Sequence, residues 1–538
     1  MKTYDAIIVG AGHNGLTTAA FLAKAGLDVI CLEKNDYIGG ATVSREMYKD
    51  WLYSSCSYVC SLLRPEIYRA LELHKYGLQV TPFGGSCQFM ENGDYFGSYH
   101  DPEMAYREMA RFSRHDADAY ERFSADTMRQ CRLVRDNLLR TAPDPTSFKP
   151  KDLMGLAELG MKFMDMGEDA MYETIRFWTM SVAEYLDQYF ETDVIKTTKS
   201  GSGIIGTALG VYSPGTSYVL LHHYMGDVDG NVGTWGVARG GMGAIADSIA
   251  GAFQTYGGEL RSEAGVDKII VKNGRATGVA LENGEEISAR LVVSAIDVKQ
   301  TFLDRIDKSD LPEAFYNRVA NFKIRGSSGK VNIALDGMPT FPAIPKGSTL
   351  YHGDMHFIDS MERMERAFDD WKAGTWSKDP YIDMLIPTLT DPTMAPPGKH
   401  FMSCFVQYCP YQIDGRAWTE PEREAFGQTV IDQIANYSPD FKSLILHYEV
   451  RTPEDIENQI GITEGNIFHG ELTMDQLFFN RPVPGYAQYR TPVSSLYMCG
   501  SSTHPGGGVM SAPGANAARE ILADLNRPNT VPENFGDD

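Results

Sequence analysis

The stretch from Tyr4 to Thr42 constrains the fold of this chain more than any other part of the sequence. Its residues 6–9, Ala-Ile-Ile-Val, form an apolar run that is typical of a buried parallel strand. Gly-Ala-Gly-His-Asn-Gly follows at residues 10–15 and leads into an apolar helical repeat. A second apolar run at residues 29–32 ends in Glu33. Strand, glycine turn, helix, strand and terminal acid, in that order, predict a dinucleotide-binding βαβ unit.

Each part of this unit has a physical role in binding a dinucleotide. Gly10 allows the tight turn, Gly12 lets the backbone approach a pyrophosphate, and Gly15 lets the helix pack closely on the strand. The helix N-terminus offers free N–H donors to the phosphates. Glu33 can accept hydrogen bonds from a ribose 2′-hydroxyl and would repel a 2′-phosphate, so NADP is disfavoured. The alternative is a tight turn in an ordinary βαβ unit.

A second glycine pair follows the acid, because residues 34–42 read Lys-Asn-Asp-Tyr-Ile-Gly-Gly-Ala-Thr. This segment resembles the E-K-x-x-x-x-G-G-x-x signature of two-domain flavoproteins of the amine oxidase and phytoene desaturase type. In those flavoproteins the second loop wraps the pyrophosphate and approaches the flavin. The resemblance therefore implies FAD as the cofactor, where the βαβ unit alone would also suit NAD.

The composition argues against several classes of partner. The net charge of −22 argues against nucleic acid and against docking on anionic lipid through charge. No run of about 18 apolar residues is present, so we expect no membrane-spanning helix. The first strand begins by Tyr4, which leaves no room for a signal peptide, and we expect a cytoplasmic protein. The 538 residues are enough for roughly two to four domains.

The cysteines predict neither a disulfide framework nor a metal site. All eight are scattered, and Cys56 and Cys60 form the only close pair near the cofactor motif. Thiol–disulfide flavoenzymes use a four-residue gap, whereas three residues separate this pair. We therefore favour buried free thiols over a redox pair. No Cys/His cluster has the spacing of a zinc site, and we expect no metal.

Residues 153–190 are predicted to be helical and are rich in methionine and aromatic residues. Two interpretations fit this composition. One is a Met-rich helical core, and the other is a soft-walled pocket or lid that meets an apolar substrate or a membrane surface. The six methionines are Met154, Met161, Met164, Met166, Met171 and Met180.

Residues 200–243 contain a second glycine motif, Gly-Ser-Gly-Ile-Ile-Gly at residues 201–206. No clear strand precedes this motif and no acid-terminated strand follows it. We therefore favour glycine turns beside a substrate channel over a second dinucleotide site, and we expect no separate NAD(P)H domain. His222 and His223 follow a short apolar run that we interpret as a strand. Adjacent residues on a strand point to opposite faces, so the pair does not predict a metal site.

The match to a known family extends along nearly the whole chain. The sequence resembles the phytoene desaturase and carotenoid isomerase superfamily of FAD enzymes, and within it a branch named after a pyridine nucleotide-disulfide oxidoreductase domain. The blocks that carry the resemblance are the N-terminal motif, SLLRPEIYRALEL (61–73), YSPGTSYVLLHH (212–223), WGVARGGMGA (235–244) and GSSTHPGGGV (500–509). No disulfide-reductase cysteine pair accompanies them.

This resemblance implies an α/β fold in which a discontinuous, Rossmann-like FAD-binding domain is interleaved with an α+β substrate domain that carries a helical subdomain. It also implies non-covalent FAD. The predicted division is 1–85, 241–300 and 471–526 for the FAD-binding domain, 86–240 and 301–470 for the substrate domain, and 527–538 for a frayed polar tail. The residues that the resemblance places near the cofactor are Gly10, Gly12, Gly15, Glu33, Lys34, Gly39, Gly40, Ala41, Thr42, Val266, Ala295, Gly500, Gly508 and Val509.

Two residues are candidates for catalysis. Lys330 lies 35 residues past Ala295 at the start of a predicted strand, much as the lysine near flavin N5 does in amine oxidases. The alternative for Lys330 is a solvated lysine at a strand end. His504 follows the last predicted strand of the FAD-binding domain. A hydrogen bond that fixes its loop is an equal alternative to catalysis.

The family resemblance predicts a flavin dehydrogenase or oxidase that removes a hydride from an apolar, isoprenoid- or lipid-like substrate to form a double bond. Electrons would pass to O2 or a quinone, since no nicotinamide domain is evident. Amine oxidation is the alternative, and Trp235, Tyr212 and Tyr497 could supply the aromatic cage that it needs. A FAD-dependent isomerase and a non-redox interaction protein are further alternatives for the function. Peripheral membrane contact and the oligomeric state also stay open.

Overall fold

The computed structural model describes residues 2–534, which form two seven-stranded sheets with helices packed around them. The strands are β1 (Thr3–Val9), β2 (Val29–Leu32), β3 (Ser44–Tyr48), β4 (Trp51–Ser54), β5 (Val80–Pro82), β6 (Ser86–Phe89), β7 (Tyr95–Ser98), β8 (Asp227–Val228), β9 (Asn231–Val232), β10 (Gly236–Ala238), β11 (Glu259–Arg261), β12 (Val266–Lys272), β13 (Arg275–Leu281), β14 (Glu286–Ser294), β15 (Ser328–Leu335), β16 (Met355–His356), β17 (Tyr381–Leu385), β18 (His400–Gln407), β19 (Ile445–Arg451) and β20 (Leu496–Met498).

The α-helices are interspersed with these strands along the chain, and seven consecutive helices lie between β7 and β8 in the sequence. They are α1 (His13–Lys24), α2 (Pro65–Ala70), α3 (Pro102–Phe112), α4 (Arg114–Leu138), α5 (Pro150–Asp165), α6 (Glu168–Thr179), α7 (Val182–Leu186), α8 (Asp193–Ile204), α9 (Thr216–Tyr224), α10 (Gly243–Thr255), α11 (Glu313–Ala320), α12 (Met361–Lys372), α13 (Glu420–Ala435), α14 (Phe441–Leu444), α15 (Pro453–Ile460) and α16 (Ala512–Asp524).

The first sheet has the strand order β11-β2-β1-β14-β13-β12, and β20 pairs with the end of β14. β1 is parallel to β2 and β14, with Ala6 opposite Val29 and Leu291. Residues 6–9 of β1 are all buried, and their sequence is accordingly a continuous apolar run. The predicted βαβ unit is thus confirmed, and the strand predicted before His504 is β20. Residues 259–261 form a parallel edge strand on β2.

The second sheet has the order β19-β15-β18-β17-β16-β6-β7. Strand β15 is an interior strand of this sheet, is buried along its whole length and pairs antiparallel with β18 and β19. Lys330 therefore lies in the interior of the sheet, opposite Phe405 of β18. The predicted division of the chain into FAD-binding and substrate segments stays a prediction, although the two sheets draw their strands from different parts of it.

The Met-rich helices α5 and α6 do not form a core. Met154 and Met164 are each 72% exposed, and Met161, Tyr172 and Ile175 are also exposed. The other face of α6 packs inward through Phe177. The prediction of a Met-rich core is therefore wrong for these side chains, and their exposure agrees with the surface alternative.

Two local predictions between residues 200 and 224 are also wrong. Gly201 and Gly203 lie inside α8 and not in glycine turns. Their lack of a side chain lets the helix pack closely, since a Cβ on Gly201 would lie 2.4 Å from the hydroxyl of Tyr381. His222 and His223 belong to helix α9 and not to a strand.

The C-terminal segment packs against the protein over the part that the structure describes. Thr530 donates a hydrogen bond to the Phe21 carbonyl at 2.9 Å, and Arg519 donates to the Pro532 carbonyl at 2.8 Å. Val531 is buried. The prediction of a frayed tail is therefore wrong for residues 527–534, and residues 535–538 lie outside the described residues. Between residues 2 and 534, no helix is both long enough and apolar enough to cross a bilayer.

Candidate functional site

The turn between β1 and α1 presents a helix N-terminus that no side chain caps. Gly12 occupies the N-cap position, and Asn14 and Gly15 of the first helical turn are buried. A Cβ on Gly12 would meet no atom within 4 Å, so open space lies in front of this helix end. Buried helix ends need partners for their N–H groups, and an anionic group such as a phosphate provides them.

The second glycine pair lies directly against this turn. The Gly39 N–H donates to the Ala11 carbonyl at 2.9 Å, and Gly39 forms an isolated β-bridge with Gly12. Gly39 has φ +107° and Gly40 has φ +54°, both in the left-handed region that favours glycine. The Thr42 hydroxyl donates to the Gly39 carbonyl at 2.8 Å and fixes the loop.

Three small residues support the turn from behind. A Cβ on Gly15 would lie 2.2 Å from the Gly10 carbonyl oxygen and 2.8 Å from the Cβ of Ala295. A Cβ on Gly500 would lie 2.5 Å from the Ala295 carbonyl oxygen. Gly15, Ala295 and Gly500 therefore allow close packing between α1, β14 and β20. Their predicted role near the cofactor is thus an indirect one in this structure.

A small cavity of about 60 Å³ lies on the Glu33 side of the turn, and we call it the adenosine-side cavity. Glu33 is 7% exposed, and burial raises the pKa of its carboxyl group. Its Oε2 accepts from the Ala11 N–H and its Oε1 from the Asn35 N–H, both at 3.0 Å. Each oxygen retains a lone pair for a ribose hydroxyl. The cavity is lined by Val9, Gly10, Leu32, Glu33, Lys34, Ala264, Val266, Glu282, Ile296, Gln300, Arg305, Ile460 and Gly461.

A second cavity of about 130 Å³ lies beyond the other end of the turn, and we call it the flavin-side cavity. His13, Ala41, Ser501, Gly508 and Val509 line it from the cofactor segments of the chain. Its remaining walls are Cys56, Ser57, Tyr58, Val59, Ser61, Leu62, Ile205, His223, Trp235, Ser328, Gly329, Lys330, Phe405, Ile456, Ile467, Phe468 and His469.

The arrangement fits a dinucleotide that carries a flavin. Gly10 lines the adenosine-side cavity and His13 lines the flavin-side cavity, so the uncapped helix end lies between the two. The His13 ring is held by a 3.2 Å contact between Nε2 and the Gly508 carbonyl. The N-terminal turn and the C-terminal glycine loop thereby meet at the flavin side, although 495 residues separate them.

Lys330 is the buried cation of the flavin-side cavity. Its side chain is 2% exposed, and Nζ donates to the carbonyls of Cys56 at 2.9 Å and Ser54 at 3.3 Å. Nζ also lies 4.7 Å from the centre of the Tyr58 ring. Burial lowers the pKa of Lys330 to about 7, so its ammonium group exchanges a proton near neutral pH. The alternative of a solvated lysine is wrong.

His504 does not reach the flavin-side cavity. Its Nε2 lies 3.0 Å from the Asn137 carbonyl, and its ring lies 5.9 Å from the ring of Phe478 in a separate pocket. Burial lowers the pKa of His504 to about 4, so the ring is neutral at neutral pH. The geometry gives no support to the catalytic prediction, and the loop-fixing alternative fits it.

The cysteines near the site are buried free thiols, as predicted. Cys56 lines the flavin-side cavity, and its carbonyl holds Lys330. Burial raises the pKa of Cys60 to about 12, which removes the thiolate that disulfide exchange requires.

A third cavity of about 220 Å³ adjoins the flavin-side cavity, and Ile205 and Trp235 line both. We call it the polar cavity, because charged and hydroxyl-bearing side chains form most of its wall. These side chains are Ser86, Ser98, Tyr99, His100, Tyr120, Thr198, Lys199, Ser202, Tyr224, Thr234, Asp354, His356, Tyr381 and Asp383. The sequence analysis did not predict this cavity as a site, because its lining residues come from many separate segments of the chain.

Two carboxylates flank one imidazole in this cavity. His356 Nε2 lies 3.3 Å from Asp354 Oδ2 and 3.7 Å from Asp383 Oδ1. Burial opposes the charge on His356, but Asp354 raises its pKa overall. Burial raises the pKa of Asp383 to about 6. The Tyr58 hydroxyl donates to Asp383 Oδ2 at 2.5 Å and links this group to the flavin-side cavity. These contacts account for the cluster, and we assign no metal to it.

The predicted aromatic cage does not assemble. Trp235 lines the flavin-side and polar cavities, but Tyr212 is exposed and Tyr497 donates a hydrogen bond to Asp524. Tyr58 and Phe405 are the aromatic walls that sequence reasoning missed. Tyr58 lies in the same segment as the SLLRPEIYRALEL block, which was the available signal, whereas Phe405 lies on β18 outside every motif.

Comparisons with known proteins cover nearly all of the chain. A family model described as flavin containing amine oxidoreductase matches residues 15–522. The mouse protein named pyridine nucleotide-disulfide oxidoreductase domain-containing protein 2 is 38% identical over 548 residues, covering 97% of this chain and 94% of that protein. The phytoene desaturase (lycopene-forming) of Pseudescherichia vulneris is 23% identical over 535 residues, covering 96% and 98%.

Solved structures show the same fold. The cyclohexylamine oxidase from Brevibacterium oxydans IH-35A superposes with a TM-score of 0.58 at 19% sequence identity, covering 98% of this chain and 100% of that one.

Proposed function

The chain belongs to the flavin containing amine oxidoreductase family, and from that premise we propose that it removes a hydride from an apolar, isoprenoid- or lipid-like substrate to form a double bond. Its cofactor is FAD, and its fold is that of the FAD-dependent amine oxidases. Both points agree with the resemblance to phytoene desaturases that the sequence motifs indicated.

The observation that carries this proposal is the apolar wall of the flavin-side cavity. Lys330 is its only lysine or arginine among the described lining residues, and no aspartate or glutamate lines it. Its apolar lining consists of Ala41, Val59, Leu62, Ile205, Phe405, Ile456, Ile467, Phe468 and Val509. Such a cavity favours a hydrocarbon over a strongly hydrated substrate, because burying apolar surface is favourable and burying unpaired polar groups is not.

The residues of the chain divide the work of binding. The adenosine-side cavity, with Glu33 as hydrogen-bond acceptor, would hold the ribose, and the N-terminus of α1 would hold the pyrophosphate. FAD, when bound, supplies the hydride acceptor. The buried walls of the flavin-side cavity orient the substrate and exclude water. Lys330 Nζ can hold or release a proton there at neutral pH.

Electrons would then pass to O2 or a quinone. The only other glycine motif of dinucleotide type lies inside helix α8, so the described residues offer no second βαβ unit at that motif for a nicotinamide. The proposal also keeps FAD non-covalent and the protein cytoplasmic, with peripheral contact to a membrane through the exposed face of α5 and α6.

Amine oxidation is the second candidate, and the description of the matching family favours it. The scattered positions of Trp235, Tyr212 and Tyr497 weigh against the predicted cage, because of these three only Trp235 lines the flavin-side cavity.

Anaerobic mixing of the yellow protein with candidate substrates tests these alternatives. Bleaching of the flavin band by terpenes, carotenoid precursors or unsaturated lipids, with a new double bond in the product, is the expected result. Bleaching by amines alone would replace the proposal with amine oxidation. Rearrangement without net oxidation would indicate an isomerase. Failure of every compound to react, combined with binding of a protein partner, would indicate a non-redox role.

A further inference from the structure

Lys199 is a buried cation that lacks an anionic partner. Its side chain is 9% exposed and lines the polar cavity, with Nζ 5.4 Å from the centre of the Tyr120 ring. Within residues 2–534, no carboxylate forms an ion pair with it and no acceptor forms a hydrogen bond with it. Asp354 acts on it only from a greater distance, and its pKa is raised although burial opposes the charge.

The other buried cations of the described residues all have close partners. Arg64 pairs with Glu66 at 2.7 Å, Arg135 with Asp227 at 3.1 Å and Arg451 with Glu449 at 2.9 Å. Lys330 and Arg481 donate to backbone carbonyls at 2.9 Å and 2.8 Å. Since an unpaired buried charge is costly, the exception at Lys199 marks a position where a ligand supplies the missing anion.

We propose that Lys199 binds the carboxylate of an amphipathic substrate, whose apolar chain passes Ile205 and Trp235 into the flavin-side cavity. This inference rests on the proposed function, because it takes the oxidised part of the substrate to be apolar. It adds a polar end group to that substrate. Ser98 Oγ in the same cavity is buried without a hydrogen-bond partner and is available to the ligand.

The charges around Lys199 favour a ligand with a single negative charge. His356 Nε2 lies 3.3 Å from Asp354 Oδ2 and 3.7 Å from Asp383 Oδ1, so these two carboxylates share the imidazole, and Asp383 also accepts a hydrogen bond from the Tyr58 hydroxyl. Lys199 is the only lysine or arginine among the described residues that line this cavity, and its single ammonium group matches one carboxylate. A diphosphate would bring additional negative charge close to Asp354 and Asp383 with no further cation to meet it.

Farnesoic acid and farnesol test this inference on the FAD-loaded protein, because they share a chain and differ in the end group. Dissociation constants come from the change in flavin absorbance or protein fluorescence on titration. We expect the wild type to bind the acid roughly tenfold to a hundredfold more tightly than the alcohol, the range for a hydrogen bond to a charged group. Lys199→Gln should abolish this preference and leave the affinity for farnesol unchanged.

Lys196→Gln is the matched control, since Lys196 lies one turn earlier on α8 and pairs with Asp187 at 2.8 Å outside the cavity. It should keep the wild-type preference, and so should Lys199→Arg, which retains the charge. Flavin content and farnesol binding report whether Lys199→Gln is folded, and Lys199→Met replaces it if it is not.

Two results overturn the inference: equal affinity of the wild type for acid and alcohol, or a preference that survives in Lys199→Gln. In both cases the proposed apolar substrate still stands, because farnesol binds. Failure of the wild type to bind either compound counts against the apolar substrate itself, and the end-group inference falls with it.

Discussion

At the scale of single residues, Gly12 and Gly15 of the same turn must be glycine for opposite structural reasons. A Cβ on Gly12 would meet nothing within 4 Å, whereas a Cβ on Gly15 would lie 2.2 Å from the Gly10 carbonyl oxygen. Gly12 is therefore needed by the ligand, and Gly15 is needed by the fold. The sequence pattern predicted both glycines but could not separate these two roles, because the separation depends on which side of the turn faces open space.

We predict that Gly12→Val yields folded but colourless protein, because its side chain fills the space of the pyrophosphate. Absorbance of the purified protein measures flavin content, and circular dichroism measures folding. Gly15→Ala should instead lower the yield of folded protein through its backbone clash. Gly160→Ala, where a Cβ also meets nothing within 4 Å, is the control and should stay yellow. Full flavin occupancy in Gly12→Val would refute the assignment of this turn.

A second prediction at this scale concerns Lys330 and the pH dependence of the stability of the folded protein. Its folded pKa of about 7 lies below the ordinary value of 10.5. Between these two pH values the unfolded chain binds more protons than the folded protein, so wild-type stability rises with pH across that window. The charged lysine is disfavoured in the folded state at and below pH 7, and this cost disappears as pH approaches 10.5.

We therefore expect the melting temperature of the wild type, relative to Lys330→Met, to rise between pH 7 and pH 10. The change corresponds to a free energy on the order of a few kcal/mol. Thermal unfolding at a series of pH values measures it. Lys268→Met, at an exposed ion pair with Asp307, is the control and should show little such trend. A difference that stays constant with pH would mean that Lys330 has an ordinary pKa.

At the scale of elements, strands and helices with a clear sequence pattern were predicted correctly, and those without one were not. β1, α1 and β2 combine a run, a glycine turn and an amphipathic repeat, and each was predicted within a few residues. Helix α9 was mistaken for a strand because Thr216 to His223 are all buried, so no apolar stripe distinguishes a helix from a strand. The last turn of helix α8 was mistaken for glycine turns because glycines normally break helices, whereas Gly201 and Gly203 allow close packing.

The exposed face of α5 and α6 supplies the prediction at this scale. Met154, Met161 and Met164 on α5 present flexible apolar side chains to solvent, next to Tyr172 and Ile175 on α6. Several large apolar side chains exposed on two successive helices make this face a candidate interaction site. Because the chain carries a net charge of −22, we expect this face to prefer neutral over anionic lipid.

We predict that the protein co-sediments with phosphatidylcholine vesicles and that replacing the three methionines by serine lowers the bound fraction severalfold. Adding phosphatidylserine should weaken binding of the wild type. Leu446→Ser, at an exposed apolar residue on β19, is the control and should bind normally. Equal sedimentation of the triple variant and the wild type would show that this face does not contact the membrane.

At the scale of the whole molecule, the cofactor site is the meeting point of distant segments. The βαβ unit, the strand before Ala295 and the loop from Gly500 to Val509 converge on one turn. Each segment carries a recognisable motif, so the cofactor half of the site could be predicted. The walls contributed by the second sheet and by α8 carry none, and the polar cavity with Lys199 emerged only from the tertiary arrangement.

The convergence predicts that removing FAD loosens all of these segments together. A ligand bound between segments stabilises each of them, and its removal lowers the free energy of local opening at every contact. Hydrogen–deuterium exchange of the holo- and apoprotein should therefore speed up in residues 10–42, 295–305 and 500–514 at once. Helix α13, none of whose residues line the adenosine-side or flavin-side cavity, should exchange at an unchanged rate.

The Gly12→Val protein is the matched reference for that experiment, because it should lack FAD from the start and show the same exchange pattern as the apoprotein. This comparison separates the effect of the missing cofactor from any damage done by extracting it. Faster exchange confined to residues 10–15 would mean that the C-terminal glycine loop is held by the protein alone, through contacts such as that between His13 and Gly508. The cofactor would then bind to a preformed cleft and would contribute nothing to bringing the two ends of the chain together.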